Sequence, residues 1–282
     1  MPANNISGFR ADVISLLKEL NAPVYRWPGG NFVSGYNWKD GIGDRDRRPP
    51  RKNPAWKGVE HNDVGIEEFM KFCRILNTEP FIALNSGLGG VLMASEEVEY
   101  CNGSVGTTMG HLRADNGSPD PYRVKFWSIG NEMFGDWQLG NMPIEEYVKK
   151  HNEFADAIRK VDPTIELVAV GNIGKWDEMM LGNCAENMDY ISEHIYRQDW
   201  HGGGLMTHTK QLADDIRRIG QTHRDYRDQI PSLKGKNIRI AMDEWNYWYG
   251  PHIYGELGTR YFWRDGMGIA AGLHEFYRNS DI

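Results

Sequence analysis

Apolar and polar positions follow two alternating patterns along the first third of the chain. Apolar side chains recur every three or four positions over residues 9–20 and 66–76, which predicts two amphipathic helices. Short, continuous apolar runs follow at 24–27 and 81–84, and each run stops at proline or asparagine. Such runs are typical of strands that are buried on both faces of a parallel sheet. This part of the chain therefore predicts helices that alternate with buried strands.

The same alternation continues to the end of the chain. Further strands are predicted over 124–129, 167–170, 190–192 and 238–242, and Pro143 suits the first turn of an intervening helix. Together with the first two runs, this makes six strands separated by helical segments, with no linker or internal repeat. Regular alternation favours a (β/α) barrel over a doubly wound sheet. The sequence also lacks a glycine-rich phosphate-binding motif, which argues against a nucleotide-binding fold.

Composition and charge narrow the possible partners. The chain has 282 residues, of which 40% are hydrophobic and 25% charged, as expected of one globular barrel domain over 1–282. The net charge of −7, with no basic stripe, argues against a nucleic-acid partner. Neither a membrane span nor a signal peptide is predicted. Residues 41–62, which mix both charge signs with prolines, are expected to form a solvated loop or, alternatively, a wall of a cleft.

Cysteine and histidine usage suggests a reduced protein without a metal. Cys73, Cys101 and Cys184 are widely spaced and odd in number, which is typical of reduced, packing cysteines in the cytoplasm. The nine histidines do not show metal-ligand spacing, and no two cysteines stand two positions apart. We therefore expect no metal and no cofactor.

Two runs near predicted strand ends carry the candidate chemistry. Residues 127–133 (WSIGNEM) and 240–246 (IAMDEWN) each place a glutamate, Glu132 or Glu244, after a short apolar run. Barrel enzymes carry their reacting groups at the carboxyl ends of strands. Two carboxyl groups that converge on a sugar can cleave a glycosidic bond, one as acid and the other as nucleophile. The pair therefore predicts a glycoside hydrolase, although either run alone is equally consistent with a solvated acid.

Other polar side chains are predicted at the same edge of the barrel. Arg26 can supply a cation beside Glu244, and Tyr196 can donate its hydroxyl to that carboxylate. Asn131, directly before Glu132, can bind a sugar hydroxyl next to the anomeric carbon. The strand ends also carry Asn31, Asn85, Asn172 and His194. It is this clustering at several strands, rather than any one residue, that favours a sugar site.

Four motifs in order resemble the family 51 glycoside hydrolases, which are mainly α-L-arabinofuranosidases. They are residues 26–32 (RWPGGNF) with 36–43 (YNWKDGIG), 130–133 (GNEM) with 137–140 (WQLG), 191–196 (ISEHIY) and 243–246 (DEWN). The likeness runs from about Phe9 to the last residue.

The resemblance implies a retaining enzyme on a (β/α)8 (TIM) barrel. It implies Glu132 as the acid/base and Glu244 as the nucleophile, with no cofactor. It also implies a set of substrate-binding or nucleophile-positioning residues, which are Arg26, Asn31, Asn131, His194, Tyr196 and Trp38. The substrate would be an arabinose-containing oligosaccharide, and the protein would be intracellular and a homo-oligomer, since bacterial members are often hexamers.

The barrel is expected to be incomplete. By this resemblance the six predicted strands are strands two to seven, and the first strand, the eighth strand and a C-terminal β-sandwich are missing. We therefore expect the chain to be a fragment of a longer protein; the alternative is that another chain supplies the missing parts. Two alternatives stay open from the residues: an endo-β-glucanase or β-xylosidase of the same fold, since two glutamates do not specify the sugar, and a non-catalytic carbohydrate-binding or assembly subunit.

Overall fold

Alternating strands and helices make up the computed structural model, which describes residues 3–198, 202–250 and 260–282. The parallel strands in these ranges are β1 (Val24–Trp27), β2 (Glu79–Ala83), β3 (Phe126–Ser128), β4 (Glu166–Val170), β5 (Tyr190–Arg197) and β6 (Arg239–Tyr247). The helices there are α1 (Ala11–Leu20), α2 (Ile66–Leu76), α3 (Val91–Asn102), α4 (Thr108–Asp115), α5 (Ile144–Val161), α6 (Lys175–Cys184), α7 (Gly204–Gln229) and α8 (Trp263–Arg278). All six predicted strands are present, so the α/β class is confirmed.

Element boundaries differ from the predictions mainly at two strands. β5 and β6 continue to Arg197 and Tyr247, several residues beyond the predicted ends at 192 and 242. Main-chain pairing between the two strands extends through these residues, from Arg239 opposite Tyr190 to Tyr247 opposite Arg197. Each apolar run is shorter than its strand, because main-chain hydrogen bonding between the two strands continues where the side chains become polar. His194 and Glu244 therefore lie within strands rather than after them.

The chain forms two compact units. The N-terminal unit consists of Met1–Met142 and Lys149–Leu167, and the C-terminal unit consists of Pro143–Val148 and Val168–Ile282.

In the N-terminal unit, β2 lies between β1 and β3, and all three strands are parallel. Trp27, Ile82 and Trp127 are in register across them, so the residues that follow each strand leave the sheet at the same edge. The core is formed by buried side chains of the strands and of the helices around them, including Ile82, Trp127, Phe69 and Ile158. Burial on both sides explains why these strands read as continuous apolar runs.

In the C-terminal unit, β5 lies between β4 and β6 and is parallel to both. Leu212, Ile216 and Ile219 recur at helical spacing along α7 and pack with Ile195 of β5 and Tyr247 of β6. Within the described ranges, no helix is both long and apolar enough to cross a membrane.

A buried arginine anchors the charged insertion over 41–62. The Arg48 side chain is only 2% exposed and donates to both carboxylate oxygens of Glu68, at 2.8 and 3.1 Å. It also donates to the carbonyl oxygens of Gly43 and Asn62, each at 2.9 Å. Glu68 in turn accepts from the Gly65 amide at the start of α2. The insertion is therefore tied to a helix and is not the freely solvated loop that its composition suggested.

We expect Arg48→Met to lower the free energy of unfolding by about 3 kcal/mol, because the Glu68 carboxylate, whose side chain is 17% exposed, would stay mostly buried without its cation. Chemical denaturation followed by circular dichroism measures this change. The matched control is Arg51→Met. Arg51 makes a similar two-bond pair with Asp40 but is 59% exposed, so its loss should cost less than about 1 kcal/mol. Equal losses in the two variants would contradict the anchoring role.

Candidate active site

The predicted site residues fall into two groups, one in each unit. Arg26, Asn31, Asn131 and Glu132 belong to the N-terminal unit, and His194, Tyr196 and Glu244 belong to the C-terminal unit.

In the N-terminal unit, a sharp turn after β3 carries Glu132. Gly130 has φ +96°, and a side chain there would collide with the Ser86 hydroxyl, so this position requires glycine. Glu132 itself has φ +42°, a left-handed conformation that costs a non-glycine residue on the order of 1 kcal/mol. A strained backbone of this kind is common at functional residues. The turn thus holds a carboxylate in a conformation that the sequence alone would not favour.

A chain of hydrogen bonds runs from β1 to the residue before Glu132. The Arg26 guanidinium donates from Nη1 to Oδ1 of Asn131 at 3.2 Å. Nδ2 of Asn131 donates to Oε1 of Gln138 at 3.1 Å, and Nε2 of Gln138 donates to the Ser34 hydroxyl at 2.6 Å. Asn131 and Gln138 are both buried. The amide of Asn131 is therefore held on both sides.

Asn31 and Trp137 fix the Glu132 carboxylate. The Asn31 side chain donates to the carbonyl oxygen of Trp137 and accepts from the amide of Leu139, both at 2.7 Å. These bonds hold the segment from which the Trp137 indole Nε1 donates to Oε2 of Glu132 at 2.6 Å. Trp137 is 56% exposed, so a ligand can reach its ring. Trp137 and Gln138 were not predicted as site residues, and the only signal for them was the family-like WQLG motif.

Trp38, which the family resemblance assigned to substrate binding, packs in the core of the N-terminal unit. Its side chain is 1% exposed, its indole Nε1 donates to the Met93 carbonyl oxygen at 3.1 Å, and its ring lies 5.2 Å from that of Tyr100. A sugar has no access to this ring in the structure. We therefore leave Trp38 out of the proposed site.

In the C-terminal unit, two side chains of β5 approach Glu244. The Tyr196 hydroxyl donates to Oε2 of Glu244 at 3.0 Å, and Nδ1 of His194 lies 3.6 Å from the same oxygen. The side chains of Glu244 and His194 are mostly buried, at 16% and 9% exposed. The carboxylate thus has a phenolic donor and an imidazole beside it.

A bulge in β6 places Asp243 and Glu244, which are adjacent in sequence, beside the same residue, His194. Ala241 is opposite Ser192, but Glu244 is opposite His194, so β6 has one more residue than β5 over this stretch. In a regular strand, successive side chains point to opposite faces, and Asp243 and Glu244 would be separated. The bulge interrupts that alternation, and both carboxylates lie within 4 Å of the His194 ring.

Asp243 orients His194. Its Oδ1 accepts from the Ser192 hydroxyl at 2.6 Å and lies 3.1 Å from Nε2 of His194. With Nε2 directed at Asp243, the other ring nitrogen, Nδ1, is the one that faces Glu244. Asp243 and Ser192 were not predicted as site residues, because the bulge that turns Asp243 toward the histidine has no signature in the apolar pattern.

The chemistry of the two groups is complementary. Each presents a glutamate carboxylate that accepts a hydrogen bond from an aromatic side chain, the indole of Trp137 for Glu132 and the phenol of Tyr196 for Glu244. Neutral amides and an arginine accompany Glu132, and an imidazole accompanies Glu244. Each group by itself can bind hydroxyl-rich ligands and transfer protons.

Comparison with known proteins identifies the family. The sequence model of one protein family, the α-L-arabinofuranosidase 1 domain, matches residues 16–218. The intracellular exo-α-(1→5)-L-arabinofuranosidase of Acetivibrio thermocellus is 41% identical over 262 residues, which is 88% of this chain and 51% of that protein. The Bacillus subtilis strain 168 protein named intracellular exo-α-(1→5)-L-arabinofuranosidase 1 is 40% identical over 257 residues, with the same coverage of 88% and 51%. The chain thus spans about half the length of the curated relatives that it matches.

Solved structures agree with this result. An α-L-arabinofuranosidase from Thermotoga maritima, crystallised with arabinose, superposes with a TM-score of 0.90 at 37% identity. The match covers 100% of this chain and 57% of that one. The likeness confirms the predicted fold, an incomplete (β/α)8 barrel. Because the family model covers most of the chain and relatives about 40% identical to it carry the same name, the chain belongs to the α-L-arabinofuranosidases of glycoside hydrolase family 51.

Proposed function

We propose that this chain carries the catalytic pair of a retaining α-L-arabinofuranosidase, with Glu244 as the nucleophile and Glu132 as the acid/base. The observation that carries the proposal is that both glutamates of the family motifs have their carboxylates held by an aromatic donor, Tyr196 or Trp137. Family membership supplies the reaction class. The sugar follows from the names of the relatives, which act on α-(1→5)-linked L-arabinofuranose.

The proposed reaction has two displacements. In the first, a Glu244 oxygen attacks the anomeric carbon while Glu132 donates its proton to the leaving oxygen, and the glycosidic bond breaks. In the second, Glu132 takes a proton from water, the water oxygen attacks the same carbon, and the bond to Glu244 breaks. Two inversions give retention. This requires the two carboxyl groups to lie about 5–5.5 Å apart, the separation typical of retaining enzymes.

The surrounding residues have supporting roles in the proposal. Tyr196 and His194 hold the Glu244 carboxylate, the first by a phenolic hydrogen bond and the second by its imidazole. Arg26 holds Asn131, which we propose binds the sugar hydroxyl beside the anomeric carbon. Asn31 acts through the main chain of residues 137–139 to position Trp137. The exposed Trp137 ring offers an aromatic face to the sugar.

The cellular location and the assembly of the protein are also proposals. The relatives are named intracellular, and all three cysteines of this chain are buried free thiols, as expected in a reducing compartment. We therefore propose that the protein acts in the cytoplasm on arabinose-containing oligosaccharides. We also propose that it assembles into a homo-oligomer, for which Trp263 and Tyr277, exposed near the two ends of α8, are candidate contacts.

The direct test is hydrolysis of 4-nitrophenyl α-L-arabinofuranoside. We expect turnover of this furanoside and little turnover of 4-nitrophenyl β-D-xylopyranoside or of β-glucan. With methanol added, proton NMR should show methyl α-L-arabinofuranoside, the retained product. A preference for the pyranoside would favour the xylosidase or glucanase alternative, and binding without cleavage would favour a non-catalytic subunit.

The roles of the two glutamates can be separated by rescue. Glu244→Ala should abolish turnover, and azide should partly restore it and give the inverted β-glycosyl azide. Glu132→Ala should retain most of its kcat/KM on substrates with good leaving groups, because acid assistance in the first displacement matters least there, and azide should give the retained product. The measurement is kcat/KM against leaving-group pKa for both variants. The assignment fails if the two variants show the same dependence.

Asp243→Asn tests the orientation of His194. The variant keeps the shape of the side chain but removes its charge, so we expect kcat to fall about 10- to 100-fold while KM changes little. The control is Asp214→Asn, which alters an exposed ion pair with Arg217 on α7. A lower melting temperature with unchanged kcat would show that Asp243 is only structural.

A further inference from the structure

A second cluster of titratable side chains lies in the C-terminal unit, apart from Glu244 and its neighbours. It consists of Asp177 of α6, Glu193 of β5 and His223 of α7. Their residues are 0%, 2% and 4% exposed. Because successive side chains of a strand point to opposite faces, Glu193 is directed away from the face that carries His194. The cluster is therefore not part of the sugar site proposed above.

The hydrogen bonds of this cluster do not satisfy all its atoms. Nε2 of His223 lies 2.8 Å from Oε1 of Glu193 and 3.4 Å from Oδ2 of Asp177. A ring nitrogen carries at most one hydrogen, and the hydrogen bond goes to Glu193. Oδ1 of Asp177 accepts from the Asn172 amide at 2.6 Å, but the buried Oδ2 has no hydrogen-bond partner among the described residues. A fully buried carboxylate oxygen thus points into the cluster without a donor.

A divalent cation would supply the missing partner. It would take a lone pair of the Asp177 oxygen that no hydrogen bond satisfies, and with two ionised carboxylates and a neutral imidazole it would make the cluster neutral.

We propose that Asp177, Glu193 and His223 bind one divalent transition-metal ion, for which Zn²⁺ and Mn²⁺ are the matching probes. The three candidate ligand atoms all lie within 4.8 Å of one another. One ion can therefore reach the usual distances of about 2.0–2.2 Å to each of them with small side-chain adjustments. A set of one imidazole and two carboxylates suits Zn²⁺ and Mn²⁺ better than Mg²⁺ or Ca²⁺, which prefer oxygen ligands alone.

The role of the ion follows from the elements that it would join. Its ligands come from a strand and two helices of the C-terminal unit, so a bound ion would fix β5 to α6 and α7. β5 also carries His194 and Tyr196, one and three residues after Glu193. The ion would thus stabilise β5 from the face opposite to the one that carries His194 and Tyr196, the two side chains that contact Glu244. It would be structural and would take no part in bond cleavage.

The test uses the 282-residue protein stripped with EDTA and then titrated with Zn²⁺ or Mn²⁺. Calorimetry and metal analysis after gel filtration should give one ion per chain. The melting temperature should rise by about 5 °C at a hundredfold excess over Kd. Mg²⁺ should have no effect at the same concentration. Absence of binding by both transition metals would overturn the proposal.

Four variants locate the ion. Asp177→Asn and Glu193→Gln keep the side-chain shapes and should each weaken binding at least tenfold, while Glu178→Gln, an exposed neighbour on α6, should bind like the unaltered protein. Glu244→Gln removes a carboxylate from the proposed catalytic site and should still bind one ion. If Glu244→Gln loses the ion and Asp177→Asn keeps it, the metal lies elsewhere and the proposal is wrong. Unchanged binding in both Asp177→Asn and Glu193→Gln would also show that the proposal is wrong.

Discussion

Parallel main-chain pairing within each unit is the constraint on which the candidate site depends. It brings β1, β2 and β3 into register, so that the segments after them leave at the same edge and Arg26 meets Asn131 from a distant part of the chain. It also places His194 opposite Glu244. Because the ladder is made by backbone groups, the arrangement tolerates many side-chain changes, whereas a one-residue shift in register would turn these groups to the other face.

The sequence predicted the order and type of the elements well, because buried parallel strands and amphipathic helices leave strong apolar patterns. It also singled out Glu132 and Glu244 as candidate catalytic residues, because each follows a short apolar run. It did not reveal Asp243, which reaches His194 only because β6 contains a bulge. Trp38 shows the opposite failure, because a family-like motif contains core residues as well as site residues. Local patterns identify elements, but long-range contacts decide what each polar side chain touches.

Buried polar groups in this protein differ in how completely they are satisfied. Arg48 has a full set of partners, in that its guanidinium bonds to a carboxylate and two carbonyl oxygens. The cluster of Asp177, Glu193 and His223 is equally buried but has fewer donors than its acceptors require. A network with every group paired adds rigidity, whereas an incompletely paired one costs free energy unless something else completes it. This difference is the reason that we propose an ion at the second cluster and none at Arg48.

The left-handed backbone of Glu132 sets function against stability at one residue. Glycine adopts φ +42° without strain, so a chain with glycine at this position would be relieved of the cost that Glu132 bears. Selection for thermostability alone would therefore tend to remove this glutamate, and only selection for its carboxylate keeps it. For the same reason, a sequence designed to fit this backbone as well as it can would be expected to fold and to be inert.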